Sequence, residues 1–260
     1  MTAPERLDLL PHEVREAWPN PGGLALSVVA PVFDEEPNLV RLFEKVVEVF
    51  GPKSDWELVL VDDGSRDASA RIIRELHQQD SRVKGVFFSR NCGQTAALAA
   101  GFQVAAGELI ATMDADLQND PSDLPAMVQM LQSGGHDAVV GWREIRQDSL
   151  TRRVASRVAN GLRNSLTADA IRDTGCSLKV FRRVPIQALP LFEGMHRFLP
   201  TLLRTYGFDV IETPVSHHPR LAGVSKYGIA NRLGKATKDV LAVRWMRRRR
   251  LLLPIHEVLR

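Results

Sequence analysis

Cysteine is scarce in this chain. Cys92 and Cys176 are the only two in 260 residues, and neither sits in a CxxC pair or beside a cluster of histidines. That spacing excludes a disulfide framework and a thiolate zinc site, and it suits a reducing compartment. Long apolar runs are missing too. None approaches the length of a membrane-spanning helix, and Met1 to Asn20 carry acids and prolines where a secretory signal needs a continuous apolar stretch. The expectation is a protein made and kept in the cytoplasm. A dominant charge of one sign is also lacking: 34 Lys and Arg against 31 Asp and Glu leave a net +3. So mild a basicity is compatible with phosphate-bearing partners and diagnostic of none. There is no internal repeat, low-complexity tract or linker. What remains is an ordinary globular composition, 44% hydrophobic and 25% charged, which excludes disordered and fibrous classes and is long enough to bury a sizeable core in one α/β domain.

Strands and helices alternate through the first half. The apolar run from Leu24 to Phe33 reads as a strand buried on both faces. Pro37 then suits a first helical position, and Leu39, Leu42, Phe43, Val46 and Val47 recur at helical spacing up to Gly51. Further strands are expected at Trp56–Val61, Val83–Phe88, Leu109–Met113 and Asp137–Gly141. The helices between them run to about Gln79, stop at Gly107, and close at Gly134-Gly135. This order implies a mostly parallel sheet with helices on both faces, a Rossmann-like α/β fold in which ligands bind beyond the carboxyl ends of the strands. Past Gly141 the pattern is less regular. Leu150, Val154, Val158, Leu162 and Leu166 stripe a helix whose other faces carry arginines, short strands fit Ser177–Phe181 and Asp209–Pro214, and a long basic helix begins at Gly228. The division expected is an N-terminal extension at 1–23, a catalytic domain at 24–227 and a basic, membrane-facing helical segment at 228–260.

Three acidic clusters fall at the ends of three apolar strands: Asp34-Glu35-Glu36, Asp62-Asp63 and Asp114-Ala115-Asp116. Any one alone reads as a turn-forming, solvated acid. Three at the same edge of one parallel sheet point into one crevice, where mutual repulsion is costly unless cations, hydrogen-bond donors or substrate hydroxyls lie among them. Asp114 and Asp116, with Gln118 nearby, offer the hard oxygen ligands that Mg²⁺ or Mn²⁺ accepts while keeping waters and substrate phosphates.

The segments PVFDEEPN, VDDGS, SRNCGQTAALAAG and DADLQNDP, and then GWR, DTGCSLKVFRR, HRFLP and RLAGVSKYG, together resemble the polyprenyl-phosphate branch of family 2 glycosyltransferases, which includes dolichol-phosphate mannosyltransferase and ArnC-like enzymes. The resemblance runs from about Leu26 to Arg232; a DxD pair alone would be a weak signal. It implies the GT-A fold and an inverting transfer of a sugar from a UDP- or GDP-sugar to undecaprenyl or dolichyl phosphate. It assigns Pro31, Phe33, Glu35, Asp62 and Asp63 to the base and ribose of the nucleotide, and Asp114, Ala115 and Asp116 to its diphosphate. Asp114, Asp116 and Gln118 would hold the bridging Mg²⁺ or Mn²⁺. Arg143, Arg220 and Lys226 match positions that contact donor or acceptor phosphates, a task suited to a guanidinium with paired donors, and Arg153 joins Arg143 toward the acceptor. Asp173 matches an acid near the acceptor; Asp116, Asp173 and Arg143 thus form the expected catalytic set. The family usually has asparagine where this chain has Asp34, which alters hydrogen bonding there. His196 and Arg197 resemble the ArnC-like branch and are given no chemistry, and both cysteines read as packing residues.

Alternatives stay open. A saccharide hydroxyl as acceptor would need a base and would leave the arginines around Arg143 and Arg153 poorly used. A binding module would hold the nucleotide without turnover. Nucleic acid is disfavoured, because an acidic crevice repels a phosphate backbone. Relatives in this branch often carry transmembrane helices after the catalytic domain, where this chain ends in WMRRRR followed by three leucines. The expectation is peripheral binding at the inner face of the membrane, through arginines drawn to an anionic surface with Trp245 at the interface.

Overall fold

The computed structural model describes residues 24–52, 55–143, 171–189, 192–219 and 230–249, the last segment's first eight residues by backbone alone. The apolar runs form the strands β1 (Leu26–Val32), β2 (Trp56–Asp62), β3 (Val83–Phe87), β4 (Leu109–Thr112), β5 (Ala138–Arg143), β6 (Lys179–Arg182) and β7 (Val210–Val215). The helices are α1 (Glu36–Phe50), α2 (Ser69–Gln79), α3 (Gln94–Val104), α4 (Leu124–Gly134), α5 (Arg183–Gln187), α6 (Leu199–Thr205) and α7 (Ala230–Arg249). One sheet holds all seven strands in the order β3-β2-β1-β4-β6-β5-β7.

The sequence reading places every strand within two residues of its observed ends, but it gives no partner to the short strand near Ser177. β6 enters between β4 and β5 and runs antiparallel to both, whereas β1, β2, β3 and β4 pair in parallel and β5 pairs in parallel with β7. The helix expected around Leu150–Leu166 lies outside the described residues.

Both faces of the sheet are covered, because successive side chains of a strand point to opposite sides. On one face Val28, Ala30 and Val32 of β1 pack with Leu39, Leu42 and Val46 of α1, Ile73 and Leu76 of α2, and Leu124, Met127 and Leu131 of α4. On the other, Val29 of β1 and Val59 and Val61 of β2 meet Ala97, Leu98 and Phe102 of α3, Leu199, Leu202 and Leu203 of α6, and Val243 of α7. Small residues let α3 sit low on β1: a Cβ at Gly101 would come within 2.3 Å of Val29 Cγ1. One side of the basic helix α7 is therefore core. Val243 is fully buried, with Val240 and Met246 packed beside it, while Trp245 and Leu241 are 63% and 52% exposed.

Candidate active site

The sheet brings the acidic strand ends to one edge. β2, β1 and β4 are adjacent and parallel, with Val32 level with Asp62 and Val29 level with Thr112, so that Asp34, Asp62 and Asp114 leave the sheet side by side. β6 carries Lys179 to the same level, opposite Thr112 on one side and Val140 on the other. Arg143 closes β5 three residues further on.

At the β1 end the chain turns through Asp34, whose φ of 50° lies in the left-handed region that Asp and Asn tolerate best. That backbone form is what asparagine and aspartate share. The Asp34 N–H donates to Ser65 Oγ at 2.9 Å, and Asp34 Oδ1 accepts from the Arg66 N–H at 2.7 Å. The Glu35 N–H donates to Ser69 Oγ at 3.0 Å, and its carboxylate accepts from Asn38 Nδ2 at 2.7 Å. Pro31 and Phe33 are partly exposed at this edge.

The two acids of the β2 end differ. Asp62 Oδ1 caps its own turn by accepting the Ser65 N–H at 3.1 Å. Asp63 faces the loop before α3: its carboxylate accepts from the Cys92 N–H at 2.6 Å, the Gly93 N–H at 2.9 Å and Asn91 Nδ2 at 3.0 Å. Burial raises its pKa, and the Cys92 and Gly93 N–H groups oppose the rise. The packing here is close enough that only glycine fits at position 64, where φ is 71° and a Cβ would lie 2.5 Å from the Arg90 carbonyl carbon. Asp63 thus holds the loop that starts α3.

That loop sets Gln94 against the β4 end, where Gln94 Nε2 donates to Asp114 Oδ1 at 3.0 Å. Burial first, and then the charge of Asp116, raises the Asp114 pKa; the Ser177 hydroxyl, Lys179 and Arg143 counter it. Asp116 is buried and its Oδ1 accepts from the Gln118 N–H at 3.1 Å. Ala115 is buried between them. Leu117, which follows, is also buried and holds a φ of 60°, a conformation that costs a bulky residue on the order of 1–3 kcal/mol. Strain of this kind persists where the surroundings over-determine the backbone. Here the Gln118 carbonyl accepts the His218 N–H at 2.8 Å, and Asn119, buried, accepts from Ser177 Oγ at 2.7 Å.

The third part of the edge is an ion pair. Arg143 Nε and Nη2 donate to the two oxygens of Asp173 at 2.7 and 3.0 Å, a bidentate contact. Asp173 is buried, and its Oδ1 also accepts the Gly175 N–H at 3.1 Å. Behind the pair lies Lys179, buried, whose ammonium donates to the Cys176 carbonyl. Burial lowers the Lys179 pKa, and the Cys176 thiol, Asp114 and Asp173 oppose that.

The structure thus brings Pro31, Phe33, Glu35, Asp62, Asp114, Ala115, Asp116, Gln118, Arg143 and Asp173 to one edge and turns Asp63 toward the α3 loop. Arg153, Arg220 and Lys226 lie outside the described residues. Gln94, Ser177 and Lys179 escape the sequence reading. A lysine between Leu178 and Val180 in an apolar strand is the signal that marks Lys179; Gln94 and Ser177 carry none.

The residues present suit a divalent cation. Asp114 and Asp116 face each other at a cost in charge, yet no group of three or more His, Cys, Asp and Glu able to hold a metal exists among the described residues. Two carboxylates that leave the rest of the shell to water and phosphate oxygens are the ligand set Mg²⁺ prefers, rather than an all-protein cage.

The sequence model for "Glycosyl transferase family 2" matches residues 27–189, more than half of the chain. The chain belongs to glycosyl transferase family 2. Among members of the family it is 42% identical over 230 residues to the dodecaprenyl-phosphate galacturonate synthase of Rhizobium johnstonii, covering 86% of this chain and 68% of that protein. It is 41% identical over 206 residues to the undecaprenyl-phosphate 4-deoxy-4-formamido-L-arabinose transferase of Edwardsiella ictaluri, covering 78% of this chain and 63% of that one. The chain therefore spans about two thirds of the length of these relatives. Among solved structures, glucosyl-3-phosphoglycerate synthase from Mycobacterium tuberculosis, in complex with Mn²⁺, UDP and glucosyl-3-phosphoglycerate, superposes with a TM-score of 0.62 at 20% identity, covering 90% of this chain and 83% of that one. That likeness is one of fold, and it bears out the GT-A expectation.

Proposed function

We propose that this member of glycosyl transferase family 2 moves a sugar from a UDP- or GDP-sugar to a polyprenyl phosphate by a single inverting displacement. The observation that carries the reading is the joining, at one sheet edge, of the Asp114–Asp116 carboxylates to the ion pair of Arg143 with buried Asp173. The names of the relatives, each a transferase or synthase of a polyprenyl-phosphate sugar, support the choice of acceptor.

Asp114 and Asp116, with Gln118, would hold Mg²⁺ or Mn²⁺, which when bound neutralises charge on the departing nucleoside diphosphate. Gln94 orients Asp114 through its amide. Pro31, Phe33, Glu35 and Asp62 line the end where the base and ribose would lie. Arg143 offers guanidinium donors to a phosphate, and Asp173 fixes the plane of that guanidinium. Asp173 already accepts from Arg143 Nε and Nη2 and from the Gly175 N–H, an arrangement that suits positioning better than proton abstraction. A phosphate monoester, with a second pKa near about 6, is already largely a dianion at neutral pH and needs no strong base. A sugar hydroxyl would need one. Arg153, Arg220 and Lys226 are proposed to complete the phosphate contacts.

The membrane would be met peripherally. Among the described residues no helix is long and apolar enough to cross a bilayer. Lys238, Leu241, Trp245, Arg248 and Arg249 are exposed on α7 at spacings of three and four, one basic and apolar face opposite buried Val243. That face suits the interface of an anionic leaflet, and the domain division expected from sequence would be kept, with α7 anchored in the catalytic core on its other side.

Incubation with a panel of UDP- and GDP-sugars, undecaprenyl phosphate and Mn²⁺, followed by organic extraction, tests the reading. A labelled lipid product from one donor is expected. Donor hydrolysis without lipid product across the panel would refute it.

A further inference from the structure

The group at this edge that the proposed reaction does not use is Lys179. The residue is 4% exposed, set in the middle of the sheet between Thr112 of β4 and Val140 of β5. A buried ammonium is a poor way to hold a sheet together. Its desolvation costs several kcal/mol, and an apolar side chain of similar volume is often as stable or more so. Its neighbours suggest what it does instead. The charged and ionisable groups that face it are Asp114, Asp173, Arg143, Cys176 and His196, and its hydrogen bond goes to the Cys176 carbonyl, one residue before the serine whose hydroxyl reaches Asp114. Its strand register sets Lys179 opposite Thr112, two residues before Asp114, so its buried amine lies on the protein side of the first carboxylate of the Asp114–Asp116 pair, where Asp114 and Asp173 favour the charged form against the burial that disfavours it.

We propose that Lys179 is the resident counter-charge of this pair and sets the order of loading, keeping a divalent cation from settling on Asp114 and Asp116 until a nucleotide diphosphate enters. Electrostatics supplies the reason. A buried cation attracts the carboxylates and repels a divalent ion more strongly than it would a monovalent one, since the energy scales with the product of charges. The diphosphate brings negative charge on the solvent side and offsets that repulsion. Metal and nucleotide then bind with positive coupling, each raising the affinity of the other by the same factor. Lys179 is a positioning residue in this account and touches no reacting atom.

The inference rests on the reading of Asp114 and Asp116 as the metal pair, and its test separates the two. Free Mn²⁺ is followed by electron paramagnetic resonance during titration of the parent and of Lys179→Met, Lys179→Gln, Lys179→Arg and Asp116→Asn, each alone and with UDP or GDP. Glutamine keeps a donor for the Cys176 carbonyl, so it guards against a methionine variant that does not fold. With Lys179→Met or Lys179→Gln, Mn²⁺ alone should bind about tenfold tighter or more, and the gain from nucleotide should shrink by the same factor. Lys179→Arg should match the parent. Neutral variants that melt like the parent but bind Mn²⁺ alone equally or more weakly would overturn the loading role and leave the metal pair standing. An Asp116→Asn variant that binds Mn²⁺ as the parent does, with and without nucleotide, would remove the metal pair and the loading role with it.

Discussion

Replacing Asp173 with asparagine separates two roles that a buried carboxylate near an acceptor could play. Asp173 is buried and takes both arms of Arg143, at 2.7 and 3.0 Å, together with the Gly175 N–H at 3.1 Å. In Asp173→Asn the volume is kept, the charge is lost, and one arm of Arg143 meets an amide N–H₂ in place of an acceptor. Breaking a buried pair from one side costs about 3–5 kcal/mol, and the Arg143 side chain is 23% exposed, so water recovers part of this. A loss of about 2–4 kcal/mol follows from hydrogen bonds to a charged group, equivalent to a drop in Tm of about 5–10 °C. Transfer should fall through a raised KM for the lipid acceptor, as the Arg143 guanidinium loses its fixed plane, while the shape of the pH–rate profile is kept. Thermal melting, steady-state kinetics in the acceptor and a pH profile on the same preparations decide it. A variant that melts like the parent, keeps its acceptor KM and loses the rising limb of the profile would make Asp173 a base and refute the positioning argument.

Asp116→Asn should keep the fold and lower transfer by about a hundredfold or more, because a ligand and a charge at the diphosphate are lost; activity within a few-fold of the parent at ordinary metal concentration would sink the assignment. His196, with Nδ1 at 2.7 Å from Thr95 Oγ1, has its pKa pushed down to about 3 by burial first and then by the charges of Arg197 and Lys179. The folded state binds fewer protons than the unfolded one, so its share of stability is complete above pH of about 6.5 and is lost as pH falls toward 3, by at most about 1.4 kcal/mol per pH unit. Urea denaturation of His196→Gln should accordingly show a flatter acid limb between pH of about 6 and 4; a limb as steep as the parent's would deny the histidine that share. Sedimentation of Trp245→Ala and Leu241→Ser with anionic liposomes should recover less protein than the parent and lose the remainder as salt rises, and equal recovery would exclude this face of α7 as the contact. Point variants are the right tool, because ending the chain at Leu241 would also strip Val243 and Met246 from the core.

β1, β2 and β4 and the acids at their ends are legible in the sequence because parallel strands buried on both faces read as continuous apolar runs, and each of these runs stops at a turn-forming acid. The insertion of β6 is not legible. Lys179–Arg182 is four residues long with a cation at each end, and nothing in KVFR tells that it will separate β4 from β5. Adjacent acids are equally opaque. Asp62 and Asp63 look interchangeable in VDDGS, yet the backbone sends one to its own turn and the other to the loop of residues 91–93. Arg143 and Asp173 are thirty residues apart in the chain, and only the return of the chain after β5 makes them a pair. Lys179 is marked only by its place between Leu178 and Val180, and its burial in the sheet is what turns that mark into a feature of the site.

The account's central claim is that the acceptor nucleophile is a phosphate on a polyprenyl chain. The direct test offers the protein, with one accepted nucleotide sugar and Mn²⁺, a polyprenyl phosphate and the matching polyprenol that lacks only the phosphate. The account predicts a glycosylated product from the phosphate alone, with the anomeric configuration inverted relative to the donor; an equal yield from the polyprenol, or a product of retained configuration, would contradict it.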